Sequence, residues 1–165
     1  MELSIKIVLL LTATLLTGLS AGLCFTWTNA ITPGIGRLDD VDYLQAFQHM
    51  NRTILNPQFF VVFFGPLLLI LAAAYTYRGY PGHILWLLLA AAACYALGLV
   101  LVTLFGNVPL NEVLDGTDLM EISLEDAHSL RARFESKWNR LHLIRTVSST
   151  ISFVLLLLGC CVKTV

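Results

Sequence analysis

Four long stretches of the chain contain no charged residue, and apolar side chains dominate each of them. A helix needs roughly 20 apolar residues to cross about 30 Å of hydrocarbon, so each stretch can hold one membrane span. Backbone groups in lipid must satisfy one another's hydrogen bonds, which favours helices. We therefore predict an all-α protein, a single membrane domain over residues 1–165 that forms a bundle of four transmembrane helices. The uncharged stretches are residues 7–36, 53–77, 79–111 and 146–162. The predicted spans cover about 5–30, 58–77, 83–105 and 141–161.

Glycine and proline mark the predicted ends of two spans. Pro33, Gly34 and Gly36 follow the first span, and Pro109 follows the third. Proline has no amide hydrogen and clashes with the preceding turn, so it usually ends or kinks a helix. We expect span one to end before Pro33 and span three to end before Pro109.

The polar segment between spans one and two is predicted to contain a short helix. Asp39, Asp40 and Asp42 suit a helix N-terminus, where the helix dipole favours negative charge. No glycine or proline interrupts the segment from there to Leu55. Such a helix would lie at the membrane interface or fold back onto the bundle.

The last span is predicted to be the second half of a much longer helix. Ser123 with Asp126 three residues later is typical of a capping box that opens a helix. No glycine or proline occurs between Ala127 and Leu158. One continuous helix of about 35 residues would be roughly 50 Å long, so its first part should project out of the membrane.

Composition supports a membrane protein and argues against a nucleic-acid-binding one. Hydrophobic residues make up 57% of the chain and charged residues 13%, whereas a soluble domain carries about 25% charged residues. The net charge of -1 provides no basic surface for nucleic acid. The lipid bilayer is the predicted environment, and we expect an integral, multi-pass protein of the plasma or inner membrane.

Four spans place both termini on one side of the membrane and both polar loops on the other. Lys6, Arg78 and Lys163 would lie on the terminal side, and Arg37 and Arg52 on the loop side. This distribution favours cytoplasmic termini only weakly. The sequence does not indicate an oligomeric state.

Amide side chains flank the spans on the predicted loop side. A buried amide costs free energy unless it is hydrogen-bonded, so these groups either cap helix ends or contact a polar ligand. The candidate binding residues are Asn29, Asn51, Asn56, Asn107 and Asn111, with Gln48 and Arg52 from the first polar loop.

Trp138, His142 and Arg145 form one stripe on the last helix, because they lie at i, i+4 and i+7. Arg145 falls one or two turns inside span four, where it either faces the bundle interior or extends its charged end to the headgroups. His142 could be a general base, a ligand or a structural hydrogen bonder. No HxxxH or HxxE spacing joins it to His49 or His128, so the spacing does not favour a metal site.

Several segments resemble the anthrone oxygenase-like family of small multi-pass membrane proteins, a family that is largely bacterial and uncharacterised. The resemblance covers nearly the whole chain, and the GNVPLN and WNRLHLIR segments are its most specific parts. The matching segments are Gly22–Ala30 with Pro33, Met50–Arg52 with Asn56 and Pro57, Gly106–Asn111, and Trp138–Thr146.

The resemblance implies a possible oxygenase activity. Fungal members are associated with the oxidation of anthrones to anthraquinones without a metal or flavin, so no cofactor is expected. Applied to this chain, the resemblance makes His142 the base that removes a proton from the anthrone. The oxygen of the resulting enolate would be stabilised by Arg145, Asn107 and Asn111. Trp138 would stack on the substrate, a lipophilic aromatic small molecule.

Two other classes of protein fit the same pattern. The chain could be a non-catalytic four-helix membrane protein that binds a lipid or a partner protein, with the amides and Arg145 in structural roles. It could also be a small transporter, although its polar residues lie near one membrane face rather than at the midplane.

Overall fold

Four long apolar helices and one shorter, amphipathic helix make up the computed structural model, which describes residues 4–80 and 82–162. No strand occurs in these residues, so the all-α prediction is confirmed. Each long helix is long and apolar enough to cross a membrane. The helices are α1 (Ile5–Ile35), α2 (Asp40–Ile54), α3 (Pro57–Tyr77), α4 (Gly82–Asp115) and α5 (Leu124–Cys161).

The four long helices form a bundle in which α1 packs against α3 and α5, and α4 completes the ring between them. The bundle interior contains small and polar residues, among them Ala13, Thr17 and Ser149, each fully buried. Large apolar side chains such as Ile70 and Leu88 fill the rest of the interior, and others cover the outside, where a lipid environment suits them. Examples are Leu15, Leu68, Trp86, Leu97 and Val154. The chain is therefore an integral membrane bundle.

Helix α1 does not end before Pro33, so that prediction was wrong. Residues Trp27–Ile31 form a π-helical turn, in which the Thr32 amide donates to the Trp27 carbonyl five residues earlier. A regular helical turn, Thr32–Ile35, then begins with Pro33 in its first two positions. Proline is tolerated there because the amides of a first turn need no partner within that segment. The helix ends near Gly36 instead.

Helix α4 passes Pro109 in the same way, which corrects the second predicted break. Two π-helical segments, Cys94–Leu101 and Thr103–Asn107, precede a regular segment that runs over Val108–Asp115. Pro109 lies in the first turn of that last segment, where its missing amide hydrogen costs little. The third long helix is therefore longer than the predicted span and carries Asn107 and Asn111 within it.

Helix α2 folds back onto the projecting part of α5, one of the two arrangements expected for it. Asp39 caps its N-terminus by accepting from the Asp42 amide at 2.9 Å. Its apolar face is fully buried, and the Phe47 ring lies edge-on to Phe134 and Trp138, with both centroid distances 4.8 Å. Arg131 of α5 adds polar contacts to the segment before α2, donating to the Gly36 and Leu38 carbonyls at 2.8 Å.

Helix α5 is continuous over 38 residues, as predicted, and Ser123 caps it by accepting from the Asp126 amide at 3.1 Å. At 1.5 Å per residue it is about 57 Å long, which exceeds the thickness of the hydrocarbon core. At the opposite end of the bundle, Lys6 contacts Tyr80, which places the start of α1 beside the turn after α3. Lys163, predicted for the same side, lies outside the described residues.

Candidate functional site

A cavity of about 450 Å³ lies at the end of the bundle that carries the polar loops. All five helices contribute to its wall, which is mostly apolar with a small number of polar groups. A largely apolar pocket with a few directed polar groups is typical of a small-molecule site. Its lining residues are Leu23, Cys24, Trp27, Asn51, Arg52, Ile54, Leu55, Phe59, Thr103, Val108, Asn111, Glu112, Asp115, Gly116, Trp138, His142 and Arg145.

His142 presents one unpartnered ring nitrogen in this cavity wall. Its Nε2 lies 3.0 Å from the backbone carbonyl oxygen of Cys24, and its Nδ1 is buried without a hydrogen-bond partner. A carbonyl oxygen can only accept, so Nε2 must carry the hydrogen and donate it. In the neutral ring Nδ1 then holds the free lone pair. The contact with α1 thus sets the tautomer that a general base requires.

Trp138 lies flat against His142 and is fixed at both its ring and its backbone. The two rings have centroids 4.7 Å apart and planes inclined by 13°. The indole Nε1 donates to Asn111 Oδ1 at 2.8 Å, and the Asn107 amide donates to the Trp138 carbonyl at 3.3 Å. Trp27 of α1 completes an aromatic wall, 5.6 Å from Trp138 between ring centroids.

Arg145 lies one turn deeper than His142 and faces the bundle interior rather than the headgroups. Its Nε is buried without a hydrogen-bond partner, and the guanidinium lies beside the Cys24 thiol. Within residues 4–80 and 82–162, no carboxylate pairs with it. A partly buried cation without a counter-ion is costly, so this position favours a ligand that carries or develops negative charge.

The mouth of the cavity carries the remaining polar residues. Arg52 pairs with Asp115, its Nε 2.5 Å from the carboxylate, and both side chains are about half exposed. Asn51, the preceding residue, lines the cavity and has a buried amide nitrogen without a partner. Glu112 adds a second carboxylate to the lining, from the same helix as Asp115.

Four of the predicted binding residues do not line the cavity. Asn29 is exposed, because it lies two residues after the buried Trp27 and so on the opposite face of α1. Asn56 caps α3 by accepting from the Phe59 amide at 2.9 Å. Gln48 is buried and donates to the Leu114 and Thr117 carbonyls. Asn107 is fully buried and holds the Trp138 backbone instead of facing the cavity.

The role of the Cys24 carbonyl could not be predicted from the sequence. This oxygen accepts from both His142 Nε2 and Thr146 Oγ1, the latter at 3.3 Å, and so joins α1 to α5 at the site. A second contact between the helices, Thr28 to Thr146 at 2.8 Å, reinforces the first. Side-chain patterns cannot identify a backbone acceptor.

The described residues contain no group of three or more His, Cys, Asp or Glu side chains that could hold a metal ion. His49 is exposed, and His128 is paired with Asp40 on the outside of α2 and α5. Neither histidine lines the cavity with His142.

Fold and site together define a four-span membrane protein with an aromatic, partly polar cavity at one membrane face. The sequence model of the anthrone oxygenase family matches residues 59–155, well over half of the chain. The chain therefore belongs to the anthrone oxygenase family, as its motifs suggested. No curated protein and no solved structure gives a significant match.

Proposed function

We propose that this protein is a cofactor-independent oxygenase that oxidises a lipophilic aromatic molecule with dioxygen. The observation that supports it best is the unpartnered Nδ1 of His142, in one cavity wall with the Trp138 indole and the partly buried guanidinium of Arg145. The membrane setting suits a substrate that partitions into lipid. We place the protein in the plasma or inner membrane, with the cavity at the face opposite the termini.

The proposed reaction starts with the removal of a carbon-bound proton. An anthrone carries an acidic methylene group opposite its carbonyl. His142 Nδ1 takes one methylene proton, and the electron pair left behind is delocalised onto the carbonyl oxygen as an enolate. The enolate transfers one electron to dioxygen, and the two resulting radicals combine to form a carbon–oxygen bond.

The resulting peroxide then takes the proton back from His142. Loss of the second methylene proton and cleavage of the oxygen–oxygen bond leave a new carbonyl group and expel hydroxide, which becomes water. One dioxygen is consumed, one of its atoms enters the product, and the other enters water.

The surrounding residues would stabilise the charge that appears during this reaction. Arg145 pairs with no carboxylate of residues 4–80 and 82–162, so the developing enolate would become its counter-ion. Trp138, which is only 4% exposed, would hold the His142 ring in place by stacking on it and is itself held by Asn111. The apolar walls limit the access of water, which strengthens these interactions.

Dioxygen consumption tests the proposal. The purified protein in lipid nanodiscs is mixed with anthrone. We expect dioxygen to be consumed faster than without protein, with one anthraquinone formed per dioxygen. His142→Ala should lower that rate by about 100-fold or more, the usual contribution of a general base. Arg145→Gln should lower it by about 100-fold, as for the loss of an oxyanion donor.

His49→Ala is the matched control, because His49 is exposed and does not line the cavity. Its rate should equal that of the wild type. Equal rates for the wild type, the His142 variant and the Arg145 variant would remove the basis for the proposed roles.

A further inference from the structure

Three polar residues of α2 are directed toward α4 and the cavity, and one of them has a buried atom without a partner among the residues that the structure describes. Gln48 donates to the Leu114 carbonyl at 2.6 Å and to the Thr117 carbonyl at 2.9 Å. Arg52 pairs with Asp115. Asn51 lies between them in sequence and lines the cavity, and its amide nitrogen is buried without a hydrogen-bond partner.

An unpartnered amide is costly when it is buried, and most buried polar groups in proteins are hydrogen-bonded. The Nδ2 atom of Asn51 has no hydrogen-bond partner among the described residues, so no contact within the protein accounts for its position. The group that satisfies it should therefore come from the occupant of the cavity.

We infer that Asn51 is a specificity-determining residue, which selects aromatic ligands with a hydroxyl group on the ring edge nearest α2. A hydroxyl both donates and accepts, so it satisfies an amide in either orientation of the side chain. The inference rests on the proposed function, because it takes the occupant to be an aromatic ring system. Asn51 would add a polar contact to the ligand from a different helix than the one that carries His142 and Arg145.

The position of Asn51 fits this role. His142 and Arg145 project from the membrane-spanning part of α5, whereas Asn51 projects from α2, which lies over the loop end of the bundle. A flat ligand in the cavity would thus meet polar groups from two separate walls. A missing hydroxyl would leave the Asn51 amide buried and unpaired, and sites of this kind discriminate strongly against such analogues.

Binding of unreactive quinones tests the inference without requiring turnover. Anthraquinone and its monohydroxy isomers are titrated into the purified protein in nanodiscs, and quenching of tryptophan fluorescence reports binding beside Trp27 and Trp138. We expect one hydroxy isomer to bind the wild type about tenfold more tightly than anthraquinone.

Asn51→Leu keeps the shape of the side chain and removes its hydrogen-bonding groups. It should bind both ligands with affinities within about twofold of each other. Thr53→Ala on the same helix is the control, because Thr53 is exposed and its hydroxyl bonds only to the His49 carbonyl of its own helix. This variant should retain the tenfold preference.

The two ways of failing are distinct. A preference for the hydroxy isomer that survives in Asn51→Leu would overturn the role of Asn51 and leave the proposed function intact. The absence of binding of any quinone to the wild type would overturn both, since the cavity would then not accept a flat aromatic ligand. A wild type that binds all isomers and anthraquinone equally would also overturn the role of Asn51.

Discussion

The Trp138 indole stacks on the His142 imidazole at a centroid distance of 4.7 Å, with the two planes only 13° from parallel. The stacking fixes the plane of the imidazole, and the Cys24 carbonyl fixes which nitrogen carries its hydrogen. The first restraint comes from Trp138, one turn earlier on α5, and the second comes from Cys24 on α1. The orientation of Nδ1 therefore depends on the packing of these two helices.

Replacement of Trp138 should lower the stability of the folded protein. Trp138→Ala removes a buried indole, for which a loss of about 3–5 kcal/mol in the free energy of unfolding is typical. Trp138→Phe retains a stacking ring but loses the hydrogen bond to Asn111, so we expect a stability loss of about 1 kcal/mol. Denaturant unfolding in mild detergent measures both values. A phenylalanine variant as unstable as the alanine variant would show that stacking contributes little.

The close approach of α4 and α5 at Gly98 predicts a large effect of a single methyl group. A Cβ atom at Gly98 would lie 2.0 Å from Ser148 Oγ and 2.3 Å from Ser148 Cβ, far inside van der Waals contact. Gly98→Ala should therefore force the helices apart and cost about 1–3 kcal/mol of stability or more. Gly22→Ala is the matched control, because a Cβ there meets nothing within 4 Å. Similar thermal unfolding midpoints for the two variants would contradict this packing.

Asn56 is predicted to contribute to stability and not to ligand binding. It caps α3 through a 2.9 Å bond from the Phe59 amide, so Asn56→Ala should cost about 1 kcal/mol. Asn56→Asp keeps the accepting oxygen and should cost less. Quinone affinity, measured by fluorescence quenching, should be the same in both variants as in the wild type. A loss of quinone affinity in a well-folded Asn56→Asp variant would show that Asn56 contributes to ligand binding.

The junction between α2 and α5 should weaken in acid. A hydrogen bond with His128, together with Arg131, holds the pKa of Asp40 below its ordinary value. A carboxyl group with a lowered pKa stabilises the folded state above the pKa of the unfolded chain, about 3.9 for aspartate. That contribution is lost as the pH falls through the folded-state pKa.

The difference in thermal unfolding midpoint between the wild type and Asp40→Asn checks this expectation. The wild type should be the more stable above about pH 4, and the difference should disappear in stronger acid. A difference that is independent of pH would mean that the charge on Asp40 is irrelevant to this junction. Asp118→Asn, which has no ion pair among the described residues, is a suitable control.

The distribution of charge along the sequence was enough to predict the membrane fold. Lipid excludes charged side chains over a length set by its thickness, so the gaps between charges locate the spans. The stripe of Trp138, His142 and Arg145 was equally readable, because three cavity-lining residues share one face of a single uninterrupted helix. Regular 3.6-residue periodicity holds throughout that helix.

The contribution of α1 and α4 to the site was harder to predict, since regular periodicity fails in both. Their π-helical turns carry the chain past Pro33 and Pro109, where a regular helix was expected to end. The amide groups were also indistinguishable by sequence, because a cap such as Asn56 and a cavity residue such as Asn51 occupy similar positions near span ends. Only the contacts of each side chain separate the two roles.

The π-helical segments have a consequence for comparison with related chains. A turn that closes over five residues holds one more residue than a regular turn, so it is equivalent to a single-residue insertion within a helix. A relative without the insertion at Thr103–Asn107 would be one residue shorter there and would have a regular turn in place of the wide one. The wide turn takes up its extra residue by rotating less per residue, so the side chains beyond it face the same way as in a regular helix. Deleting one residue from this segment should therefore leave Asn111 directed toward Trp138 and the membrane span intact.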